Sequence, residues 1–378
     1  MDKYQRETLE EKGNGISSNY VDEHLDKALL INTEYLEPRK IFGSRKLRSD
    51  LFPKLVPCYT WEGWTPDIPE VDEYYKFESS SLSKVLMALT TNSKCWISGE
   101  TGTGKSSLVE QIAARLNWPL IRINFDSEIT RSDLVGRDVL KSESGTTVSK
   151  FIDGILPQAL AGPNIILLDE IDFVRPDIAY VLQSVLDNYG LRINEDGGRM
   201  VKIHPNARII ATANTLGQGD TSAKYSGARS QSAALRDRFN IWIDKKYLAP
   251  HLEIKLLKDK GLLALSEFDD EFENSLKQYI RAHRRAYNQN TISIPLSPRA
   301  LQATADLFSQ FFENGNSETT SILEALDLTI LNKCEDTDRS ILTGLVQRFF
   351  PTHPKIEPKS KTDIAGPPTP IDDDDIPF

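Results

Sequence analysis

Sulfur is scarce in this chain, and what there is stands apart. Only three of the 378 residues are cysteines, Cys58, Cys95 and Cys334. They form no metal-ligand spacing and no even disulfide framework, so a reducing, cytoplasmic setting is the expectation. Long apolar runs are also missing. None reaches the ~18 residues of a membrane span, and no membrane association is expected. The opening MDKYQRETLEEKGNG is charged and lacks an apolar h-region, so it does not read as a secretory signal. Positive charge is in deficit. Against 55 Asp and Glu stand 45 Lys and Arg, a formal net charge of −10. That balance argues against direct nucleic-acid binding by charge. What remains is 39% hydrophobic and 26% charged, a globular composition long enough for two or three domains.

The pattern changes three times along the chain. Residues 1–70 read as an N-terminal arm. Its first part is charged, with a helix expected around VDEHLDKALL, and LFPKLVPCYTWEGWTPDIPE, with Trp61 and Trp64, reads as an extended segment packing on the next domain. Residues 71–247 alternate between helix and strand. SLSKVLMALTTN and KSSLVEQIAARLNW have helical spacing, while CWISG, LIRINF, ILLDE, ARIIATANT and NIWID read as buried strands. Strands alternating with helices predict a parallel α/β sheet, and LRINEDGGRMVKIH predicts a hairpin within it. From 248 to 351 the strand signal fades, and HLEIKLLKDKGLL, DDEFENSLKQYIRAHRRAYNQ, SPRALQATADLFSQFFENG and SILEALDLTILNKC predict a smaller all-helical domain. Residues 352–378 are rich in Pro, Lys and Asp and are expected to be a disordered acidic tail.

Five short motifs carry chemistry. GETGTGKS follows a predicted strand and opens a helix, the setting of a phosphate-binding loop. Its glycines would let backbone N–H groups wrap phosphates at a helix N-terminus. The expected nucleotide-binding set is Gly99, Glu100, Thr101, Gly102, Thr103, Gly104, Lys105, Ser106 and Ser107. Lys105 would reach the β and γ phosphates of ATP, and Ser106 would hold Mg²⁺. In ILLDE, Asp169 ends an apolar strand as a second candidate Mg²⁺ ligand, and Glu170 is placed to polarise the attacking water. Asn214, closing ATANT, could orient that water. LRDRF offers Arg236 and Arg238 as fingers reaching a neighbouring subunit's γ-phosphate. In LSPRAL, Arg299 lies in a first helical turn able to reach back to the nucleotide. DEID alone is also a helicase-like box, but the further basic motifs of a helicase are not found.

In this order the five elements resemble the AAA+ ATPases. QIAARLNWPLIRINFDSEITRSDLVGRD, GILPQAL, DEIDFVRPD, ATANTLGQGDTSAKYSG and DRF, within residues 55–260, resemble more narrowly the ATPase subunit of aerobic cobaltochelatase (CobS-like) in the MoxR branch. The resemblance implies a P-loop AAA+ core with a parallel sheet, a helical lid and a homo-hexameric ring. It also implies insertions around Leu134–Phe151 and at 191–205. Such proteins act with a partner bearing a von Willebrand A domain, and hydrolysis drives client remodelling or metal insertion. Arg238 occupies the family's DRF position, so it is preferred over Arg236, although ARSQSAALRDRF matches loosely ahead of DRF.

The last residues differ from that family. GPPTPIDDDDIPF, with Asp372, Asp373, Asp374, Asp375, Ile376, Pro377 and Phe378, resembles the acidic tip of bacterial single-stranded DNA-binding proteins. In those proteins the tip recruits replication and repair factors. A pocket would take the Phe378 ring and a basic rim the aspartates. A plain solvated acidic run is the alternative, as is docking on the chain's own RAHRR, Arg281–Arg285, itself read first as a solvated helix face. The sequence therefore predicts a Mg²⁺-dependent AAA+ ATPase that remodels a protein client, recruited through its tail to the receptors of that tip. The alternatives are an ATPase subunit of a metal chelatase and a non-catalytic ATP-binding scaffold.

Overall fold

The computed structural model describes residues 29–43, 52–62, 67–126, 128–143, 146–219, 225, 227–261 and 270–351. The acidic tail lies outside these residues, as does most of VDEHLDKALL. The last two residues of that stretch do not form the expected helix. Leu29 and Leu30 open a strand, β1 (Leu29–Leu36), followed by a short helix α1 (Pro38–Phe42) and a strand β2 (Val56–Glu62) antiparallel to β1. β-Branched Ile31 and Thr33 suit a strand, and the pairing with β2 decides the matter. β2 packs on the domain that follows. Val56 and Tyr59 are buried, the Tyr59 ring meets Trp118 edge-on at 4.8 Å, and Trp61 Nε1 donates to the Asn117 carbonyl at 2.7 Å.

The α/β region runs through α2 (Ser79–Thr91), β3 (Cys95–Ser98), α3 (Lys105–Leu116), β4 (Leu120–Asn124), α4 (Arg131–Leu134), β5 (Gly136–Glu143), β6 (Thr146–Asp153), α5 (Ile155–Ala161), β7 (Ile165–Asp169), α6 (Pro176–Leu186), β8 (Leu191–Ile193), β9 (Arg199–Val201), β10 (Arg208–Ala213), α7 (Ala233–Asp237) and β11 (Ile241–Asp244). Five strands form one parallel sheet in the order β11-β3-β10-β7-β4. Their apolar runs are continuous because both faces are covered. In β7, Ile165 and Leu167 join a core with Leu82, Leu108 and Ile112. Ile166 and Leu168 face the opposite core, with Leu156, Leu182 and Trp96. The period of two thus divides one strand between two cores. Trp96 on β3 stacks on Trp242 of β11, with centroids 4.9 Å apart and planes at 21°. β5–β6 and β8–β9 are antiparallel hairpins interposed among the helices, as the resemblance implies.

Parallel strands deliver their carboxyl ends to one edge of the sheet, where α/β proteins place ligands. Ser98, Asp169 and Ala213 end β3, β7 and β10 at that edge, so the loops that follow share a neighbourhood.

Among the described residues five helices follow: α8 (Pro250–Asp259), α9 (Asp270–Asn288), α10 (Pro298–Glu313), α11 (Glu318–Thr329) and α12 (Asp336–Phe349). They enclose a core of their own around Tyr279, Ile280, Leu296, Phe308 and Leu342. RAHRR is not a uniformly solvated face. Arg281 and Arg285 are exposed, but His283 and Arg284 are buried. Arg284 makes a two-pronged ion pair with Glu253 of α8, at 2.7 and 3.0 Å. No helix among the described residues is long and apolar enough to cross a membrane.

Candidate nucleotide site

The loop between β3 and α3 is shaped by contacts that only glycine permits. Gly99 has φ 154°, and a Cβ there would sit 2.3 Å from the Lys245 carbonyl oxygen. Gly102 has φ 78°, and a Cβ there would sit 2.6 Å from Ser297 Cβ, at the N-cap of α10. Between them the chain closes on itself, the Thr103 amide and hydroxyl both donating to the Glu100 carbonyl. The first turn of α3 contributes Lys105, Ser106 and Ser107, and the leading N–H groups of any helix lack intrahelical partners.

Lys105 folds back over this loop. Its Nζ donates to the carbonyls of Gly99 (2.8 Å) and Glu100 (3.1 Å) and to Asn214 Oδ1 (2.9 Å). Burial pushes its pKa down to about 8, against the opposing pull of Asp172, Asp169, Glu170 and Glu100. The loop after β3 and the residue after β10 are therefore joined through one ammonium.

Asp169 is buried at the end of β7. Its Oδ1 accepts from Ser106 Oγ at 2.8 Å and from Thr212 Oγ1, and its Oδ2 is ion-paired with Arg122 of β4. The next residue, Glu170, is exposed and takes a left-handed conformation, φ 57° and ψ 39°. Non-glycine residues held there cost energy that the surroundings must supply, and such positions cluster at functional sites. Its N–H donates to Thr212 Oγ1 at 3.3 Å. Desolvation first, then the charges of Asp169 and Asp172, raise the Glu170 pKa, while Lys105 and Arg122 oppose the rise. Ser106 and Asp169 together present a hydroxyl and a carboxylate, hard oxygen donors of the kind Mg²⁺ takes beside phosphates and water.

Asp172 belongs to a 3-10 turn, Ile171–Phe173, that begins at Glu170. Its side chain is fully buried. Oδ2 accepts the N–H groups of Asn214 (2.9 Å) and Thr215 (3.0 Å). Burial raises its pKa and these two bonds lower it.

The arginines lie farther out. Arg236, in α7, packs its alkyl stem over Gly217, whose Cβ would fall 2.9 Å from Arg236 Cδ. Arg238 follows α7, with Nη2 paired to Asp187 at 2.8 Å and Nη1 donating to the Ala234 carbonyl. Within the described residues neither is hydrogen-bonded or ion-paired to Lys105, Asp169 or Glu170. Arg299 is exposed in the first turn of α10, two residues after Ser297. Tyr247 completes the surroundings. Its hydroxyl donates to the Thr101 carbonyl at 2.8 Å, and the Arg284 guanidinium lies 4.2 Å from its ring centroid.

Sequence reasoning brought Lys105, Ser106, Asp169, Glu170 and Asn214 to one place, and the structure joins Lys105 to Asn214 and Ser106 to Asp169. It missed Arg122, Thr212, Asp172 and Tyr247. A lone arginine inside the apolar LIRIN was a usable signal for the first. The last acid of DEID, weighed only as part of a helicase-like box, was one for the third.

Residues 95–239 match the AAA domain family, dynein-related subfamily. The chain is 35% identical over 319 residues to the aerobic cobaltochelatase subunit CobS of Sinorhizobium sp, covering 82% of this chain and 89% of that one. An uncharacterized Bacillus subtilis (strain 168) protein, YojN, is 24% identical over 73% of this chain and 84% of its own length. Among solved structures, a RuvB mutant of Thermotoga maritima is 14% identical with a TM-score of 0.45, over 72% of this chain and 77% of that one. The identity to CobS extends across most of both chains; the chain belongs to the CobS-like, MoxR-type AAA+ family and is an ATP hydrolase.

Proposed function

We propose that the chain binds ATP with Mg²⁺ along the loop Gly99–Ser107 and hydrolyses it as one subunit of a homo-hexameric ring in the cytoplasm. Residues 71–247 form its nucleotide-binding unit and 248–351 a lid. The reading is carried by one observation: Lys105 bridges the phosphate-loop carbonyls to Asn214 while Ser106 meets Asp169. Lys105 would exchange its carbonyl partners for the β and γ phosphates. Ser106 and Asp169 would hold Mg²⁺, which supplies charge neutralisation on the phosphate oxygens. Glu170 would take the proton of the attacking water, its raised pKa bringing it nearer the range of an effective base. Asn214 would orient that water. Arg238 would leave Asp187 and reach the γ-phosphate of the adjacent subunit, with Arg236 as the other candidate. Arg299, beside the loop contact of Ser297, would report the nucleotide to the lid.

The work done with this energy is the remodelling of a protein client, with a von Willebrand A domain protein as a fitting partner. The DDDDIPF segment would recruit the motor to replication or repair proteins that receive the single-stranded DNA-binding protein tip. A second reading is favoured by the 35% identity to CobS: an ATPase subunit of a cobaltochelatase-like complex that drives metal insertion into a tetrapyrrole. A capture experiment separates the two. Glu170→Gln protein with ATP serves as bait, with Phe378 present or removed. Replication or repair proteins retained only with Phe378 support recruitment by the tail. A metal-binding-domain partner or chelatase subunit retained by both baits makes the chelatase reading the leading one.

A further inference from the structure

The geometry points to Asp172 as a positioning residue for hydrolysis, one that sets where Asn214 stands relative to Glu170. The inference rests on the reading of Asn214 as the water-orienting amide. Asn214 lies just beyond the end of β10, where the sheet no longer holds its backbone. The hold comes from Asp172 instead. A single oxygen, Oδ2, accepts two successive N–H groups, those of Asn214 and Thr215. Two bonds from adjacent peptides to one acceptor fix the direction of the chain as well as its position.

The anchor is not a neutral part of the scaffold. Asp172 sits two residues after Glu170 on the same tight turn, so the carboxylate of Glu170 and the amide of Asn214 are referred to one short piece of backbone. The carbonyl of Asp172 extends the brace, accepting the Arg229 N–H at 2.7 Å and Gln231 Nε2 at 3.2 Å. Residues 229–231 lead into α7, which carries Arg236 and is followed by Arg238. Meanwhile Oδ1 of Asp172 is buried and has no hydrogen-bond partner among the described residues. A buried carboxylate with one idle oxygen is destabilising. The turn that presents Glu170 is itself strained, and strain retained at such a place is over-determined by its neighbours.

Kinetics of four variants test this: Asp172→Ala, Asp172→Asn, Asn214→Ala and the double variant Asp172→Ala with Asn214→Ala. For each, ATP turnover is measured alongside equilibrium binding of a fluorescent ATP analogue and a thermal melt. Asp172→Ala should lower kcat roughly 10- to 100-fold, the cost of a misplacement of about 1 Å, with analogue affinity changed no more than about three-fold. Asp172→Asn should recover most of that loss, because an amide oxygen accepts the same two N–H groups. The double variant should be no slower than Asn214→Ala, since an effect routed through one residue cannot be lost twice. An undiminished kcat in Asp172→Ala overturns the inference. So does a double variant slowed by the product of the two single effects, or an Asp172→Asn as slow as Asp172→Ala. If the Ala variant fails to fold, Asp172→Asn carries the test alone, and a folded Asn variant slowed about 10-fold or more overturns the inference. If Asn214→Ala itself turns over at the wild-type rate, the reading of the amide falls and the inference with it. If Asn214→Ala is slow and Asp172→Ala is not, the inference alone falls.

Discussion

Removing the carboxylate of Glu253 should destabilise the C-terminal helices strongly, and removing its partner as well should restore them. Glu253 and Arg284 are 4% and 10% exposed and meet through two bonds of 2.7 and 3.0 Å. Glu253→Ala would leave a guanidinium buried with, among the described residues, one remaining backbone acceptor, the Leu296 carbonyl at 3.1 Å, and the Tyr247 ring. Breaking one side of a buried pair costs about 3–5 kcal/mol. Two charge-assisted bonds at about 1.5–3 kcal/mol each reach the same range. The surviving carbonyl and ring contacts place the expected loss near its lower end, about 3 kcal/mol, or a ~150-fold shift in the folding equilibrium. The double change Glu253→Leu with Arg284→Met should return stability to within about 1 kcal/mol of the parent, because apolar replacement of the whole pair strands no charge. Urea denaturation at pH 7, followed by far-UV circular dichroism, reads both. A loss below about 1 kcal/mol in Glu253→Ala would mean that solvent screens the pair as it does at a surface, and the argument from burial would be wrong. Nucleotide affinity should also weaken, since Arg284 backs the tyrosine that holds the Thr101 carbonyl.

Glu170→Gln should bind ATP as the parent does and lose roughly 10²–10⁴ in turnover, the ordinary contribution of a positioned base; unchanged turnover would mean the base lies elsewhere. Arg238→Ala should leave nucleotide binding by isolated subunits intact and depress hydrolysis by ~10³ in the assembled state, and a larger effect from Arg236→Ala would reassign the finger. His283 should impose an acid limit on the C-terminal helices. It is buried, its ring nitrogens face the Tyr279 hydroxyl and the Ile294 carbonyl, and burial pushes its pKa down to about 4. The unfolded chain therefore binds the extra proton first. Stability is full above about pH 6.5 and falls as pH drops toward 4, by about 3 kcal/mol in all. Denaturation midpoints that stay level across that window in the parent, or fall equally in His283→Asn, would remove His283 as the cause.

The loop glycines, Lys105, Ser106 and the strand-ending Asp169 were legible because each belongs to a local pattern: a glycine-rich turn between strand and helix, and an acid closing an apolar run. The two hairpins were legible through the family resemblance and the DGG turn. What escaped depends on pairing between distant segments. Arg122 meets Asp169 only because β4 runs beside β7 in a register that sets Asn124 opposite Asp169. Asp172 finds Asn214 because β7 and β10 are neighbours, a fact of sheet order and not of spacing. RAHRR read as a solvated face because its charges are adjacent in sequence. On a helix, adjacent residues point in different directions, and His283 and Arg284 turn inward while Arg281 and Arg285 turn out. VDEHLDKALL read as helical from its own composition, but the strand begun at Leu29 answers to β2, some thirty positions further on.

The stacked indoles of β3 and β11 give this molecule an optical signal of its own. Trp96 is fully buried against Trp242 and edge-on to Phe239, and its Nε1 points to the Thr215 carbonyl at 3.4 Å. Two near-parallel rings this close couple their excited states, and one of them is tied to the peptide that follows Thr215, one residue beyond Asn214. Any rearrangement of that peptide during the nucleotide cycle changes the environment of the pair. Near-ultraviolet dichroism and intrinsic fluorescence can therefore follow the turn in real time, in unlabelled protein, with Trp242→Phe as the variant that breaks the coupling and leaves the buried ring in place.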